Sequence, residues 1–133
     1  MNKYKVADLL HFKNYVFTDT NESAPHFALV LLPSAIMDYE HNLLCAVVTS
    51  KFPKKYFVKL SKAKYSCLTK DSYICCSRRD INSITDLSKG KQPLDKLNKV
   101  DIKKTFKTLK AILYGTKDIY LMATIVREWK KII

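Results

Sequence analysis

Glycine is nearly missing from this chain, with two in 133 residues. That scarcity, beside a hydrophobic content of 47%, excludes disordered and low-complexity classes. Long apolar runs are missing too. The longest, such as Phe27 to Leu32, has six residues, too few to span a bilayer, so no membrane role is expected. The opening "MNKYKVADLLHFK" has no extended apolar core or small-residue cleavage site, so no signal peptide is expected and a cytoplasmic location follows. Four cysteines occur (Cys45, Cys67, Cys75 and Cys76), but none in C-x-x-C or paired Cys/His spacing. They suit buried thiols better than disulfides, and neither a metal nor a cofactor is implied. Acidic residues are scarce relative to basic ones, 12 against 24, leaving a net charge of +12.

That excess of positive charge attracts polyanions, so RNA or DNA is the first expected partner and an acidic protein the next. Lysines crowd the middle at Lys51, Lys54, Lys55, Lys59, Lys62 and Lys64, and recur from Lys89 to Lys110. The plain alternative is a lysine-rich, solvated surface.

At this length the chain reads as one domain, residues 1–133, with a single core. Its first two thirds read as short strands: Val6 to Phe12, Phe27 to Leu32, Leu43 to Ser50, Lys55 to Leu60, Ser72 to Cys76 and Asp80 to Thr85. Polar turns join them. Tyr56, Val58 and Leu60 share one face by alternation, and Phe27 to Leu32 has the length of a strand buried on both faces. Such a set suggests a small barrel, mainly β. The last third changes period. Ile102, Phe106, Leu109 and Leu113 form one helical stripe, with Asp101 at its start to cap it or complement its dipole and Gly115 to stop it. Ile119, Met122, Val126 and Trp129 form a second stripe, and both stripes are expected to pack on the barrel.

The order of these segments resembles a family. "VADLLHFKNYVFTDTNESAPHFALVL", with Asp8, the loop opened by Phe17-Thr18-Asp19 and the strand Ala28-Leu29-Val30-Leu31, is similar to the start of the MazF/PemK/Kid toxins. "CAVVTSK", "SCLTKDSYICCSRRDINSI" and "PLDKLNKVDIKKTFKTLKAIL" resemble later parts of the same family in order, across residues 5–114. The resemblance implies an SH3-like small β-barrel of the PemK/MazF type, with residues 115–133 as an additional C-terminal helix able to form an oligomer or partner interface. It also implies a homodimer, an acidic antitoxin partner, and metal-independent cleavage of single-stranded RNA by attack of the ribose 2′-hydroxyl on the neighbouring phosphate.

Internal RNA cleavage needs a proton acceptor, stabilisation of charge on the phosphate, and a proton for the leaving oxygen. The resemblance places Thr49, with Ser50 beside it, at the family's threonine, and His26 where relatives carry arginine. Phe27 replaces the proline that follows. Arginine would give a permanent charge and a two-pronged grip on phosphate, whereas histidine exchanges protons near neutrality. Arg78 and Arg79 are then the expected suppliers of positive charge. Thr18, Asn21, Lys51, Lys54, Lys55 and Asp80 are the expected RNA contacts, and Tyr15, Phe17 and Phe52 are candidates to stack on bases. Each has a plainer reading: His26 as a strand-end residue of an inactive binding module, Thr49 as an ordinary β-branched strand residue, and the aromatics as core. His11 and His41 read as structural or surface residues.

Overall fold

The computed structural model describes residues 4–16, 23–33, 42–85, 93–113 and 119–133. Among these residues, seven antiparallel strands form one curled sheet shaped as a half-barrel, and two helices follow at the C-terminal end. The strands are β1 (Asp8–Val16), β2 (Ser23–Leu32), β3 (Asn42–Thr49), β4 (Phe57–Leu60), β5 (Ser72–Cys75), β6 (Ile81–Thr85) and β7 (Asp95–Lys96). The helices are α1 (Lys99–Leu113) and α2 (Ile119–Lys130). Across the sheet the order is β4-β5-β3-β2-β1-β7, with β6 also paired to β3. Strands β5 and β6 therefore share one edge of β3. Val48 and Thr49 face β5, Asn42 to Ala46 face β6, and a short 3-10 turn at Arg78–Asp80 separates the two.

Several strand boundaries move from their expected places for identifiable reasons. β1 begins at Asp8 rather than Val6 because Ala7 adopts a left-handed backbone, φ 75°. The Lys5 amide donates to the Asp8 carboxylate at 2.8 Å, and the Asp8 amide donates to the Lys5 carbonyl at 3.1 Å, closing that turn. Burial raises the Asp8 pKa, and the bond from Lys5 and the charge of Lys96 only partly oppose it. β4 begins at Phe57 because Tyr56 is also left-handed, φ 55°. Tyr56 is consequently exposed and does not share the buried face of Val58 and Leu60.

β2 is buried on both faces, as its composition implies. Leu29 and Leu31 face the helices together with Ala46, Val48, Ile74 and Ile81. Ala28 and Val30 belong to a second buried cluster with Leu10, Leu43, Cys45 and Val47. At Leu31 the β2–β3 register shifts by one, Val30 pairing with Cys45 and Leu32 with Leu44. A bulge of this kind disrupts the ladder at its extra residue. The Leu31 carbonyl accepts instead from the Trp129 indole at 3.1 Å, which fastens α2 to the sheet.

Strand β4 and strand β7 are the outer strands of the sheet, and α1 starts directly after β7. Of the two roles expected of Asp101, the cap falls to Asn98, whose side-chain oxygen accepts from the Asp101 amide at 2.8 Å, while Asp101 is the acidic residue of the first turn. The Asp101 side chain has a further task. The Tyr65 hydroxyl, in the segment after β4, donates to it at 2.6 Å and accepts from the Asn98 amide at 3.1 Å. In a capping box the third helical residue reaches back to the cap amide with a longer Glu or Gln side chain. Here the shorter aspartate is bridged to that amide by the tyrosine. Burial and then the Asp101 carboxylate hold the Tyr65 phenol well above its usual pKa.

On α1 the buried stripe runs through Ile102, Thr105, Leu109 and Ile112, with Phe106 half-buried at its margin. Gly115 and the Leu113 side chain lie outside the described residues. On α2 the stripe is Met122, Ile125 and Trp129, whereas Ile119, in the first turn, is 60% exposed and Val126 is half-buried.

Replacing Tyr65 with phenylalanine keeps the ring but strands a buried carboxylate and a backbone amide. Tyr65→Phe is expected to cost about 2–3 kcal/mol. Exposed Lys107→Ala should change stability by less than about 0.5 kcal/mol. Urea unfolding followed by circular dichroism reads both, and equal midpoints for Tyr65→Phe and wild type would disprove the bridging role.

Candidate functional site

Directly opposed residues of antiparallel strands present their side chains on the same face. Phe12 of β1 opposes His26 of β2. Phe27 opposes Val48 between β2 and β3, so one step toward the open ends sets His26 beside Thr49. Thr49 opposes Tyr73 of β5, and Tyr73 opposes Lys59 of β4. The register thus lines up Phe12, His26, Thr49, Tyr73 and Lys59 in one row across five adjacent strands. Neighbouring residues of such a row have Cα atoms about 5 Å apart.

The row lies at a margin. One pleat inward on the same face, Leu10, Ala28, Val47 and Cys75 are buried. Phe12, His26, Thr49 and Tyr73 are half-buried, and Lys59 is exposed. The intervening row, His11-Phe27-Val48-Ile74-Val58, belongs to the opposite, helix-bearing face. His11 rests its ring against Phe27 at a centroid distance of 4.9 Å and 68°, at the rim of that core.

Thr49 is held at the last position of β3 by its own side chain. Its hydroxyl oxygen accepts from the Lys51 amide at 3.2 Å, a local turn that keeps Lys51 near the site. Accepting that bond does not consume the hydroxyl's own proton. Ser50 is exposed, in the bend just past the end of β3. Lys51, Lys54 and Lys55 are exposed in the segment joining β3 to β4, with Lys55 lying 5.4 Å from the Tyr56 ring centroid.

The expected arginines lie in the 3-10 turn between β5 and β6. Arg79 is exposed and pairs with the half-buried Asp80 at 3.9 Å, in the turn before β6. β6 begins opposite Ala46, three residues before Thr49, or about 10 Å along β3. Backbone placement brings Arg78 to the same turn, while its side chain, with Thr18, Asn21, Phe17, His41 and the Tyr15 side chain, lies outside the described residues. His26, Thr49 and Lys51 are therefore brought together, and Arg79 with Asp80 forms a separate charged pair. Sequence reasoning missed Tyr73, Phe57 and Lys59. Their signal was the period of two in "KYFVKL" and "DSYICC", which needs the β5–β3 register before it points to Thr49.

Among the described residues, no three His, Cys, Asp or Glu side chains group as a metal site requires. The adjacent cysteines offer no nucleophile near neutrality. Burial, then the Asp80 carboxylate, pushes the Cys75 thiol up to about 12, with Arg79 opposing. Burial likewise pushes Cys76 up to about 12. A raised pKa leaves a thiol protonated, and the thiolate is the reactive form. Iodoacetamide near pH 8 should accordingly leave Cys75 and Cys76 unmodified in the native protein and alkylate both in urea, as read by peptide mass spectrometry. Rapid native labelling at either residue would contradict this assignment. No protein-family model matches the chain and no curated protein resembles it significantly, so the role of the site has to be reasoned from its own residues.

Proposed function

We propose that this protein is a metal-independent endoribonuclease of the MazF/PemK kind, cutting single-stranded RNA, with His26 and Thr49 as its reacting pair. The observation that carries the reading is the register that sets a histidine of β2 beside the threonine that ends β3. A curled antiparallel sheet followed by helices supports an SH3-like barrel of the PemK type. The net charge of +12 supports a polyanionic substrate and a small acidic antitoxin as regulator. In this reading the chain is a toxin, a homodimer acting on mRNA in the cytoplasm.

The chemistry balances with the groups at hand. His26 takes the proton of a ribose 2′-hydroxyl as its oxygen attacks the adjacent phosphorus. The bond from phosphorus to the 5′-oxygen breaks, leaving a 2′,3′-cyclic phosphate, and the protonated imidazole returns its proton to the departing oxygen. The Thr49 hydroxyl donates to a phosphate oxygen, and Lys51 offsets the growing negative charge. Lys51 joins Arg78 and Arg79 as a supplier of positive charge, because the bond from its amide to the Thr49 hydroxyl keeps its backbone beside Thr49.

A second reading, binding without cleavage, is favoured by one observation: Arg79, in the turn between β5 and β6, is already paired with Asp80 at 3.9 Å.

Purified full-length protein with a chelator should cut single-stranded RNA to fragments ending in 2′,3′-cyclic phosphate. His26→Ala should slow cleavage by about 10²–10⁴-fold, and Thr49→Val by about 10²-fold. RNA left intact but bound in a salt-sensitive complex would favour the second reading. Cleavage unchanged in His26→Ala would remove His26 from the mechanism.

A further inference from the structure

Beside Thr49, on the side away from His26, three aromatic rings meet edge to face. Phe52 lies 5.0 Å from Phe57 at 64° and 5.2 Å from Tyr73 at 67°, and Phe57 lies 5.6 Å from Tyr73 at 84°. Phe57 and Tyr73 are half-buried, whereas Phe52 stays 70% exposed. An exposed phenylalanine on a loop would ordinarily gain by folding inward. This one is held outward by the two rings beneath it and by Pro53, which confines the preceding residue to extended backbone. Little freedom then remains to be lost when a planar ligand lands on it.

Charge complementarity indicates which ligand. Lys51, Lys54 and Lys55 are exposed in the same segment as Phe52, and exposed Lys59 opposes Tyr73. Lys59 is only loosely engaged by Asp71, at 3.8 Å with both side chains largely in water. Aromatic rings among lysines that track a backbone are what an unpaired nucleic-acid strand needs: a stacking face for each base and cations for the phosphates. An acidic peptide would use the lysines but gain nothing from the rings.

We propose that Phe52, supported by Phe57 and Tyr73, is a base-stacking subsite for single-stranded RNA, holding the nucleobase next to the phosphate placed at Thr49. The subsite takes its ligand class from the function proposed above, yet stacking does not require cleavage. It fixes the strand so that one phosphate lies over Thr49 and the nucleotide beyond it runs toward β4.

The test uses full-length protein and a fluorescent 2′-O-methyl RNA oligonucleotide, which lacks the attacking hydroxyl. Phe52→Ala should weaken binding roughly 5- to 150-fold, the range for one lost base stack. Its thermal midpoint and the slope of log affinity against log salt should stay at wild-type values. Lys54→Ala should lower that slope by about 0.7, as for one phosphate contact on a single strand. An oligonucleotide with abasic sites should bind wild type and Phe52→Ala equally. Unchanged affinity in Phe52→Ala, or the same loss with abasic oligonucleotide, would overturn the subsite. So would duplex RNA binding as tightly as single strand, or a polyglutamate peptide losing affinity in Phe52→Ala to the same degree. This probe cannot be cut, so it reads the subsite alone: unmodified RNA left intact would sink the nuclease reading, while a loss of probe binding in Phe52→Ala would still support the subsite.

Discussion

The hydroxyl of Tyr65 holds together what an open sheet would otherwise leave apart. It donates to Asp101 and accepts from Asn98, so one buried oxygen joins the segment after β4 to the junction between β7 and α1. Those are the two ends of the sheet order. A buried carboxylate, a helix-terminal amide and a phenol each cost free energy alone, and each satisfies another here. Their mutual satisfaction sets where α1 begins, and α1 is the first of the two helices that cover one face of the sheet. The second is fastened at Leu31, where a register shift leaves a carbonyl for the Trp129 indole. Both anchors use a backbone group that regular secondary structure leaves over.

The register of the sheet in turn determines the site. β2 and β3 are apolar on both faces along most of their length, so no polar side chain fits there without a buried partner. Polar chemistry is confined to the strand ends. Thr49 is the last residue of β3, His26 stands beside it on β2 just before the apolar run, and the turn that follows Thr49 delivers Lys51 and Phe52. Arg79 and Asp80 occur at the other interruption of the same sheet, between β5 and β6.

Much of this was legible beforehand. The apolar run from Phe27 to Leu32, the alternation in Lys55 to Leu60 and the stripe on α1 announced strands and a helix through their periods alone. What escaped was non-local or depended on single backbone torsions. Nothing in the sequence marks Ala7 or Tyr56 for left-handed backbone, since that region favours glycine, and those two residues moved the starts of β1 and β4. The bond from Tyr65 to the Asp101 carboxylate was not legible because the two residues are 36 positions apart. Tyr73 was missed for the same reason: its relation to Thr49 exists only in the pairing of β5 with β3. The short β7 has two residues and no periodic signal to detect.

The histidine at the mouth of β2 illustrates how these constraints combine. Pro25, just before it, has no amide to offer a ladder, and β1 accommodates it with a one-residue register shift between Phe12 and Tyr15. On its other side, β3 ends at Thr49, so the chain before His26 runs past the end of β3. His26 is thus the outermost residue of β2 flanked by a regular partner in β1 and by the last residue of β3. Further inward its side chain would meet the buried column of Ala28 and Val30. Further outward it would lose the threonine. A polar, protonatable ring fits β2 at this one step, where rigidity from the sheet and access from outside overlap.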